Sequence, residues 1–381
     1  MAEQDGAAAS TAESQRPGGH AAITSRAQDQ LHRGHFAERI ARQIALAPRG
    51  SSIVLAVTGP WGSGKTSVLN MVAEELQKAA HITKIEFNPW LFSSPEELVA
   101  RFFAELSAEL IEQPKERLRK VGEALQRYGT WLAPIRLVPG IGVAAGTLLG
   151  AAKAVGDSLV EATDAGPKSL RQQHRDLSTL LGQQEERIVI VLDDIDRLRS
   201  DEVREVMRLV RLTADLPNVT FLLAFDRTVV EAALTEMDAK GVVFQTGRGY
   251  VEKIVQEIYD LPTIRASDLE ELLLHGMEDV VTTRECGPFD PKAFLNVFHR
   301  GIKPLFTSVR DIRRYLSILP VALDNCGTEV AVIDVLALEA LRLLVPESFV
   351  LLPAAVETLT SVDTAFRLSL IHISEPTRQA E

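Results

Sequence analysis

Cysteine is scarce in this chain, with only Cys286 and Cys326 among 381 residues. Two cysteines are too few for a disulfide framework, and they lack the paired spacing of a structural zinc site. The eight histidines form no metal-spaced cluster, and their order reveals no Ser-His-Asp or Cys-His arrangement. These absences exclude a disulfide scaffold, predict no zinc site and favour a cytoplasmic protein.

Basic residues are fewer than acidic residues: the chain has 41 Lys and Arg and 52 Asp and Glu, which give a net charge of -11. Such a chain has no overall attraction for phosphate backbones. We therefore do not expect it to bind nucleic acid directly.

Long apolar runs are missing as well. Residues 137–152 (LVPGIGVAAGTLLGAA) are uncharged and Gly/Ala-rich. A membrane span needs roughly 20 predominantly apolar residues, more than this stretch contains, so we expect no transmembrane helix. Two interpretations of the stretch stay open: a surface hairpin in peripheral contact with a membrane, or one that packs on a partner.

The two ends of the chain differ in character from the rest. Residues 1–26 are small, polar and Gly/Pro-bearing, without the basic start and apolar core of a signal peptide, and predict a disordered tail. Residues 369–381 (SLIHISEPTRQAE) read as translated sequencing-adapter sequence. We expect that segment to be polar and unpacked, with the natural C-terminus absent.

A glycine-rich segment lies between a strand-like and a helix-like run. SSIVLAVTG is continuously apolar and β-branched, whereas SVLNMVAEELQKAA has helical periodicity. Between them the pattern G-x-x-x-x-G-K-[ST] is complete and predicts a phosphate-binding loop, the alternative being a tight surface turn. In this loop, Lys65 meets the β- and γ-phosphates and the Thr66 hydroxyl ligates Mg²⁺. The predicted nucleotide-binding residues are Gly59, Pro60, Trp61, Gly62, Ser63, Gly64, Lys65, Thr66 and Ser67.

An acidic doublet follows a second buried strand in RIVIVLDDIDRL. The carboxyl ends of parallel strands meet at the ligand-binding edge of a sheet. We assign Asp193 to the Mg²⁺ shell and Asp194 to orientation or activation of the attacking water. For Asp196, helix capping is an equal alternative to a role in the site.

Two further apolar runs complete at least four parallel strands. NVTFLLAFDR ends on Asp226, which either senses the γ-phosphate or caps a helix. HITKIEFNPW ends where Pro89 stops strand pairing, and we expect Trp90 to pack as a core anchor.

These motifs, together with YVEKIVQ and SVRDIRRYL, occur in the order found in the KAP family of P-loop NTPases, which the chain resembles over about residues 29–316. The resemblance implies an α/β three-layer sandwich with a parallel sheet of the additional-strand type, in which LLAFDR is the central strand. It further implies that DQLHRGHFAERIARQIA borders the adenine and that ATP is the nucleotide. Because the family resembles regulated scaffolds that are often membrane-associated, a scaffold role is also implied.

The spacing of the motifs predicts an insertion. In all, 127 residues separate Thr66 from Asp193, more than one strand-helix crossover requires. We place the insertion at 119–168 within an NTPase domain of residues 27–262. A single membrane crossing there would separate the two motifs, so crossings must number zero or two, and the insertion is not apolar enough for two.

Residues 263–368 have mainly helical periodicity and predict a helical lid subdomain. SVRDIRRYL places Arg310, Arg313 and Arg314 on one helix, and one face can present two guanidinium groups. Arg310 is our candidate arginine sensor or finger for the γ-phosphate. A solvated face paired with carboxylates is the alternative.

Two functions fit these residues. The first is an ATPase that hydrolyses Mg-ATP slowly and couples lid closure to a protein partner, with oligomer formation and a role in defence against phage both compatible with it. The second is a nucleotide-dependent switch or membrane-associated scaffold that does not hydrolyse. The complete doublet Asp193–Asp194 favours the first, because a pure binding module gains little from Asp194.

Overall fold

The computed structural model describes residues 22–91, 95–132, 170–237 and 243–360. They divide into two compact units, one of residues 22–263 and one that begins at residue 264. The expectations for residues 137–152 and 369–381 fall outside the described residues. In the described part of the chain, no helix is both long and apolar enough to cross a membrane.

A five-stranded parallel sheet forms the centre of the first unit. Its strands lie side by side in the order β2 Ile82–Phe87, β3 Arg187–Leu192, β4 Val219–Phe225, β1 Ile53–Thr58 and β7 Glu257–Asp260. Strand β4 lies between β1, which precedes the glycine-rich loop, and β3, which precedes the acidic doublet. This order confirms the expected additional-strand fold with LLAFDR in the centre. Two short strands, β5 Glu236–Met237 and β6 Val243–Gln245, form a separate antiparallel pair.

Helices cover both faces of the sheet, because β1, β3 and β4 are apolar at consecutive positions and must be buried on each side. Along β1, Leu55 and Val57 belong to one core, whereas Val54 and Ala56 belong to the other. The first core includes α1 Gly34–Ala45 and α2 Lys65–Gln77. Helices of the second core are α3 Pro95–Glu112, α4 Glu116–Leu132, α5 Leu170–Gly182, α6 Ser200–Thr213, α7 Arg227–Leu234 and α8 Gly247–Ile254.

Part of the expected insertion is integral to this second core. Helix α4 buries Val121, Leu125 and Tyr128, and the Tyr128 ring packs edge-on against Phe103, with 5.6 Å between ring centroids. The expected start of the insertion at residue 119 falls inside this helix, whose apolar face belongs to the core of the domain.

The N-terminal boundary also differs from the expectation. The Ile23 N–H donates to the Ser67 hydroxyl at 3.3 Å, and the Asn70 amide donates to the Ile23 carbonyl at 2.7 Å. The Arg26 N–H reaches the Glu74 carboxylate at 2.6 Å. Residues 22–26 thus pack on α2 instead of belonging to the tail of residues 1–26.

The second unit is helical in the residues described. Its core contains Tyr315, whose hydroxyl donates to the Leu336 carbonyl at 2.9 Å. Pro320 lies inside a helix that continues past it to Cys326. The helices are α9 Ala266–Thr282, α10 Pro291–Val297, α11 Val309–Cys326, α12 Val332–Leu344, α13 Pro346–Phe349 and α14 Leu352–Thr360.

Candidate nucleotide-binding site

The glycine-rich loop runs from the end of β1 to the start of α2. Gly62 and Gly64 have φ values of 79° and 94°, a left-handed conformation that glycine adopts without a steric penalty. A Cβ atom at Gly59 would lie 2.8 Å from the Ser63 hydroxyl and 3.1 Å from Leu261 Cδ1, so a side chain here would crowd both residues. The loop therefore has the tight backbone needed to turn N–H groups toward a phosphate.

Lys65 is the first residue of α2 and is only 7% exposed. Its ammonium group donates to the carbonyls of Gly59 at 3.0 Å and Pro60 at 3.4 Å, and to the Asp196 carboxylate at 3.2 Å. The Lys65 ammonium group thus lies against the loop where it is predicted to bind phosphate. A triphosphate bound there competes with these three oxygens for its N–H donors.

Thr66 and Asp193 meet across the two motifs. The Thr66 hydroxyl donates to Asp193 Oδ2 at 2.6 Å, although the residues are 127 positions apart in sequence. Asp193 Oδ1 accepts the Asp194 N–H at 2.7 Å, which fixes the orientation of the carboxylate. A hydroxyl and a carboxylate oxygen in contact are the protein ligands that Mg²⁺ uses in P-loop sites.

Asp194 has a left-handed backbone, with φ of 58°. Its carboxylate forms an ion pair with Arg197 at 2.8 Å. Burial and the neighbouring charge of Asp193 raise the pKa of Asp194 above its ordinary value, whereas Arg197 opposes the rise. A carboxyl group with a raised pKa is better matched to proton transfer than an ordinary surface aspartate.

Two residues of the site were not assigned from the sequence. Asp196 is 5% exposed and pairs with Lys65, so its contacts favour a role in the site over helix capping. The Arg33 guanidinium donates to the Ser63 carbonyl of the loop and, at 2.6 Å, to the Pro262 carbonyl after β7. The third aspartate of DDID was a signal for Asp196, whereas Arg33 was indicated only as part of the segment DQLHRGHFAERIARQIA, which the family resemblance places beside the adenine.

Trp90 is not a core residue. Its side chain is 53% exposed, and the Arg197 guanidinium carbon lies 5.8 Å from the ring centroid. The expected core anchor is therefore wrong. The ring instead covers the cation that pairs with Asp194, a cation–π arrangement that apolar character alone does not reveal.

The remaining loop residues take separate roles. Trp61 is 58% exposed at the tip of the loop. The Ser67 hydroxyl accepts the Ile23 N–H, so this residue also fastens the N-terminal segment. The described structure leaves the buried Ser63 hydroxyl without a hydrogen-bond partner.

Asp226 caps α7. Its carboxylate accepts the Thr228 N–H at 2.9 Å and the Thr228 hydroxyl at 2.6 Å. Burial opposes ionisation of Asp226, but the Thr228 and Val229 hydrogen bonds and the charge of Lys65 lower the pKa of this carboxyl below its ordinary value. The contacts favour helix capping over γ-phosphate sensing.

The three arginines of SVRDIRRYL lie within α11 of the second unit, and all are partly buried. Burial lowers the pKa of the Arg313 guanidinium. The role of Arg310 as a sensor or finger stays a prediction.

The residues fit a magnesium-bound nucleotide. The Ser63 hydroxyl provides an unpaired buried polar atom, the glycines leave room for phosphate, and Thr66 with Asp193 provides two hard oxygen ligands. No three His, Cys, Asp or Glu side chains group into a preformed metal site within the described ranges. Mg²⁺ would thus share the protein ligands with phosphate oxygens and water.

Solved structures with a similar arrangement are weakly related in sequence. The Aeropyrum pernix ORC1 protein in complex with DNA is 17% identical, covering 78% of this chain and 60% of that one, with a TM-score of 0.38. The Cdc6p protein of Pyrobaculum aerophilum is 14% identical, with coverages of 79% and 64% and a TM-score of 0.41. Nothing about activity or ligands follows from likeness at this level.

Sequence similarity is more informative. A phage T7 exclusion protein of Escherichia coli strain K12 is 30% identical over 270 residues, which are 65% of this chain and 35% of that protein. The chain thus matches about a third of the length of this curated relative. The KAP family P-loop domain matches residues 33–323, from the loop-binding arginine to the last turn of α11. The chain belongs to the KAP family of P-loop NTPases.

Proposed function

We propose that this protein is an ATPase that hydrolyses Mg-ATP slowly and couples closure of its helical unit to a protein partner. The observation that carries the proposal is the contact between Thr66 and Asp193, which joins the two distant motifs at 2.6 Å, with Asp194 beside it. Nucleotide binding alone requires the loop and one carboxylate. A second carboxylate with a raised pKa supports hydrolysis as well.

Each residue of the site has a defined part in the proposal. The loop N–H groups and Lys65 bind the β- and γ-phosphates, and Thr66 and Asp193 would hold Mg²⁺, which would supply charge neutralisation at the phosphates. Asp194 orients the attacking water and accepts its proton. Arg310 of the helical unit stabilises the γ-phosphoryl group.

The decisive experiment measures phosphate release with Mg-ATP and Mg-GTP. We expect Lys65→Ala to lose nucleotide binding, and Asp194→Asn to bind Mg-ATP while turnover falls by roughly 10²–10⁴-fold, the usual contribution of a general base. Asp193→Asn is expected to weaken binding of the magnesium complex. Asp201→Asn is the matched control, because that carboxylate is 55% exposed and pairs with Arg199.

Two outcomes contradict the proposal at different points. If Lys65→Ala binds nucleotide as native protein does, the assignment of the site fails. If Asp194→Asn turns over normally while Asp193→Asn does not, the water-activating group lies elsewhere.

Coupling of the helical unit has its own test, hydrogen exchange with and without a Mg-bound non-hydrolysable nucleotide. Closure predicts slower exchange in Val309–Cys326 as well as in Lys65–Gln77. Slower exchange in Lys65–Gln77 alone contradicts coupling.

A non-hydrolysing nucleotide switch is the second candidate, and one contact favours it. Arg197 pairs with Asp194 at 2.8 Å and occupies the carboxylate that would orient water. Stoichiometric binding of ATP without phosphate release, in native protein and in Asp194→Asn alike, is the result expected of a switch.

The matched relative is a phage T7 exclusion protein, and we propose a role in phage exclusion for this chain too. Cells that express the native chain should reduce plating of T7, and cells that express Lys65→Ala should not. Equal plating on both strains contradicts this role.

A further inference from the structure

Asp196 is a buried carboxylate whose two oxygens are unequally satisfied. Oδ2 lies 3.2 Å from the Lys65 ammonium nitrogen, and both side chains are less than a tenth exposed. Oδ1 is buried and has no hydrogen-bond partner among the described residues. A buried carboxylate oxygen without a donor is costly, which points to a function for this side chain beyond folding.

The pair affects how Lys65 receives a phosphate. A lysine ammonium group has three N–H donors, and the Lys65 donors face two loop carbonyls and Asp196. A phosphate that replaces the carbonyls leaves Asp196 as the group that fixes the ammonium position. Asp196 therefore acts on the phosphate through Lys65.

Three carboxylates lie near this lysine. Asp193, Asp194 and Asp196 come from one short segment, in which Asp193 contacts Thr66 and Asp196 pairs with Lys65. Lys65 and Arg197 are the cations that pair with carboxylates of this segment. A triphosphate without metal meets more repulsion here than its magnesium complex, whose metal offsets part of the charge.

We propose that Asp196 is a positioning residue that makes the site select the magnesium complex of ATP over metal-free ATP. The inference rests on the proposed function and specifies its substrate. Asp196 holds the Lys65 ammonium in place for phosphate, and its charge penalises a nucleotide that arrives without Mg²⁺.

The test measures the dissociation constant of a fluorescent ATP analogue in excess Mg²⁺ and in EDTA, and compares the ratio of the two. In Asp196→Asn we expect the EDTA constant to fall and the EDTA-to-Mg²⁺ ratio to shrink by roughly tenfold or more, because a nearby unit charge is removed. Asp196→Glu retains the charge and should retain a near-native ratio. Asp201→Asn, with its exposed carboxylate, is the control that leaves the ratio unchanged.

A merely structural Asp196 predicts a different pattern, in which Asp196→Asn weakens binding equally in both conditions and the ratio stays native. That result overturns the inference and leaves the proposed function intact. A native chain that binds the analogue in neither condition overturns both. If Asp196→Asn is insoluble, Asp196→Ser removes the same charge and carries the same expected change in ratio.

Discussion

At the scale of single residues, Asp194 is placed where its charge is costly. Its carboxyl lies beside Asp193 and is partly withdrawn from water, which raises its pKa despite the ion pair with Arg197. Residues held in unfavourable environments at a reactive edge are typical of sites that trade stability for chemistry. A charge on Asp194 therefore lowers the stability of the fold, although the proposed chemistry requires it.

This conflict predicts that Asp194→Asn raises the melting temperature near pH 7 although it lowers turnover. Because the folded-state pKa is raised, native protein loses stability as the pH rises from the ordinary aspartate value of about 3.9 through the raised value. The asparagine variant has no such charge, so its advantage should grow over this interval. Calorimetry in EDTA without nucleotide checks it, and an advantage independent of pH contradicts it.

The sequence indicated which residues are candidates for the site, but it did not indicate how exposed their side chains are or which residues they contact. Thr66 and Asp193 lie in hydrogen-bond contact, as the two motifs predict, because loop spacing and strand ends are local properties. Trp90 was misplaced, since an exposed ring over Arg197 has the same hydropathy as a buried one. Asp196 was ambiguous because its partner lies 131 positions away.

At the scale of elements, one arginine joins three segments of the first unit. Arg33 precedes α1, and its guanidinium donates to Ser63 in the loop and to Pro262 after β7. The side chain is 6% exposed, and burial lowers the pKa of the guanidinium while Asp29 opposes the shift. A planar fork reaches two carbonyls at once, which a lysine ammonium on a flexible stem does poorly.

We therefore expect Arg33→Ala to lower the free energy of unfolding by about 1.5–3 kcal/mol, the range for hydrogen bonds to charged groups. Nucleotide affinity should fall as well, because the Ser63 carbonyl is no longer held. Denaturant unfolding and nucleotide titration measure the two effects, and Arg33→Lys should recover neither fully. Arg42→Ala is the control, with an exposed side chain paired to Glu38 and an expected change within about 0.5 kcal/mol. A loss in Arg33→Ala no larger than in this control contradicts the role.

Elements were predicted where their pattern is strong and local. The strands before the loop and before the doublet, and the helices of the second unit, follow from apolar runs and helical spacing. Most of helix α4 was assigned to the insertion on motif spacing alone. Its packing against α3, which includes the Phe103–Tyr128 ring pair, is a tertiary contact that the sequence does not reveal. The role of Arg33 was not predicted, because hydrogen bonds to backbone carbonyls do not depend on the types of the accepting residues.

At the scale of the whole molecule, the fold class was predictable because one loop motif and one acidic strand end leave few topologies for the sheet between them. The central position of β4 came from family resemblance, since apolar strands give no signal of their order. The sequence pattern could not show whether the helical unit takes part in hydrolysis. Arg310 tests this, because it belongs to the helical unit.

If hydrolysis draws on both units, Arg310→Ala should lower kcat by roughly 10³-fold, the lower range for an arginine that stabilises phosphoryl transfer, with little change in nucleotide affinity. The affinity is retained because Lys65, Thr66 and the loop N–H groups belong to the first unit. Arg342→Ala is the control from the same helical unit and should turn over normally, because its exposed side chain is paired with Glu339. Phosphate release and analogue binding, measured on the same preparations, separate the two effects. Native turnover in Arg310→Ala would assign this arginine to the packing of α11 and would place all of the chemistry on the sheet edge of the first unit.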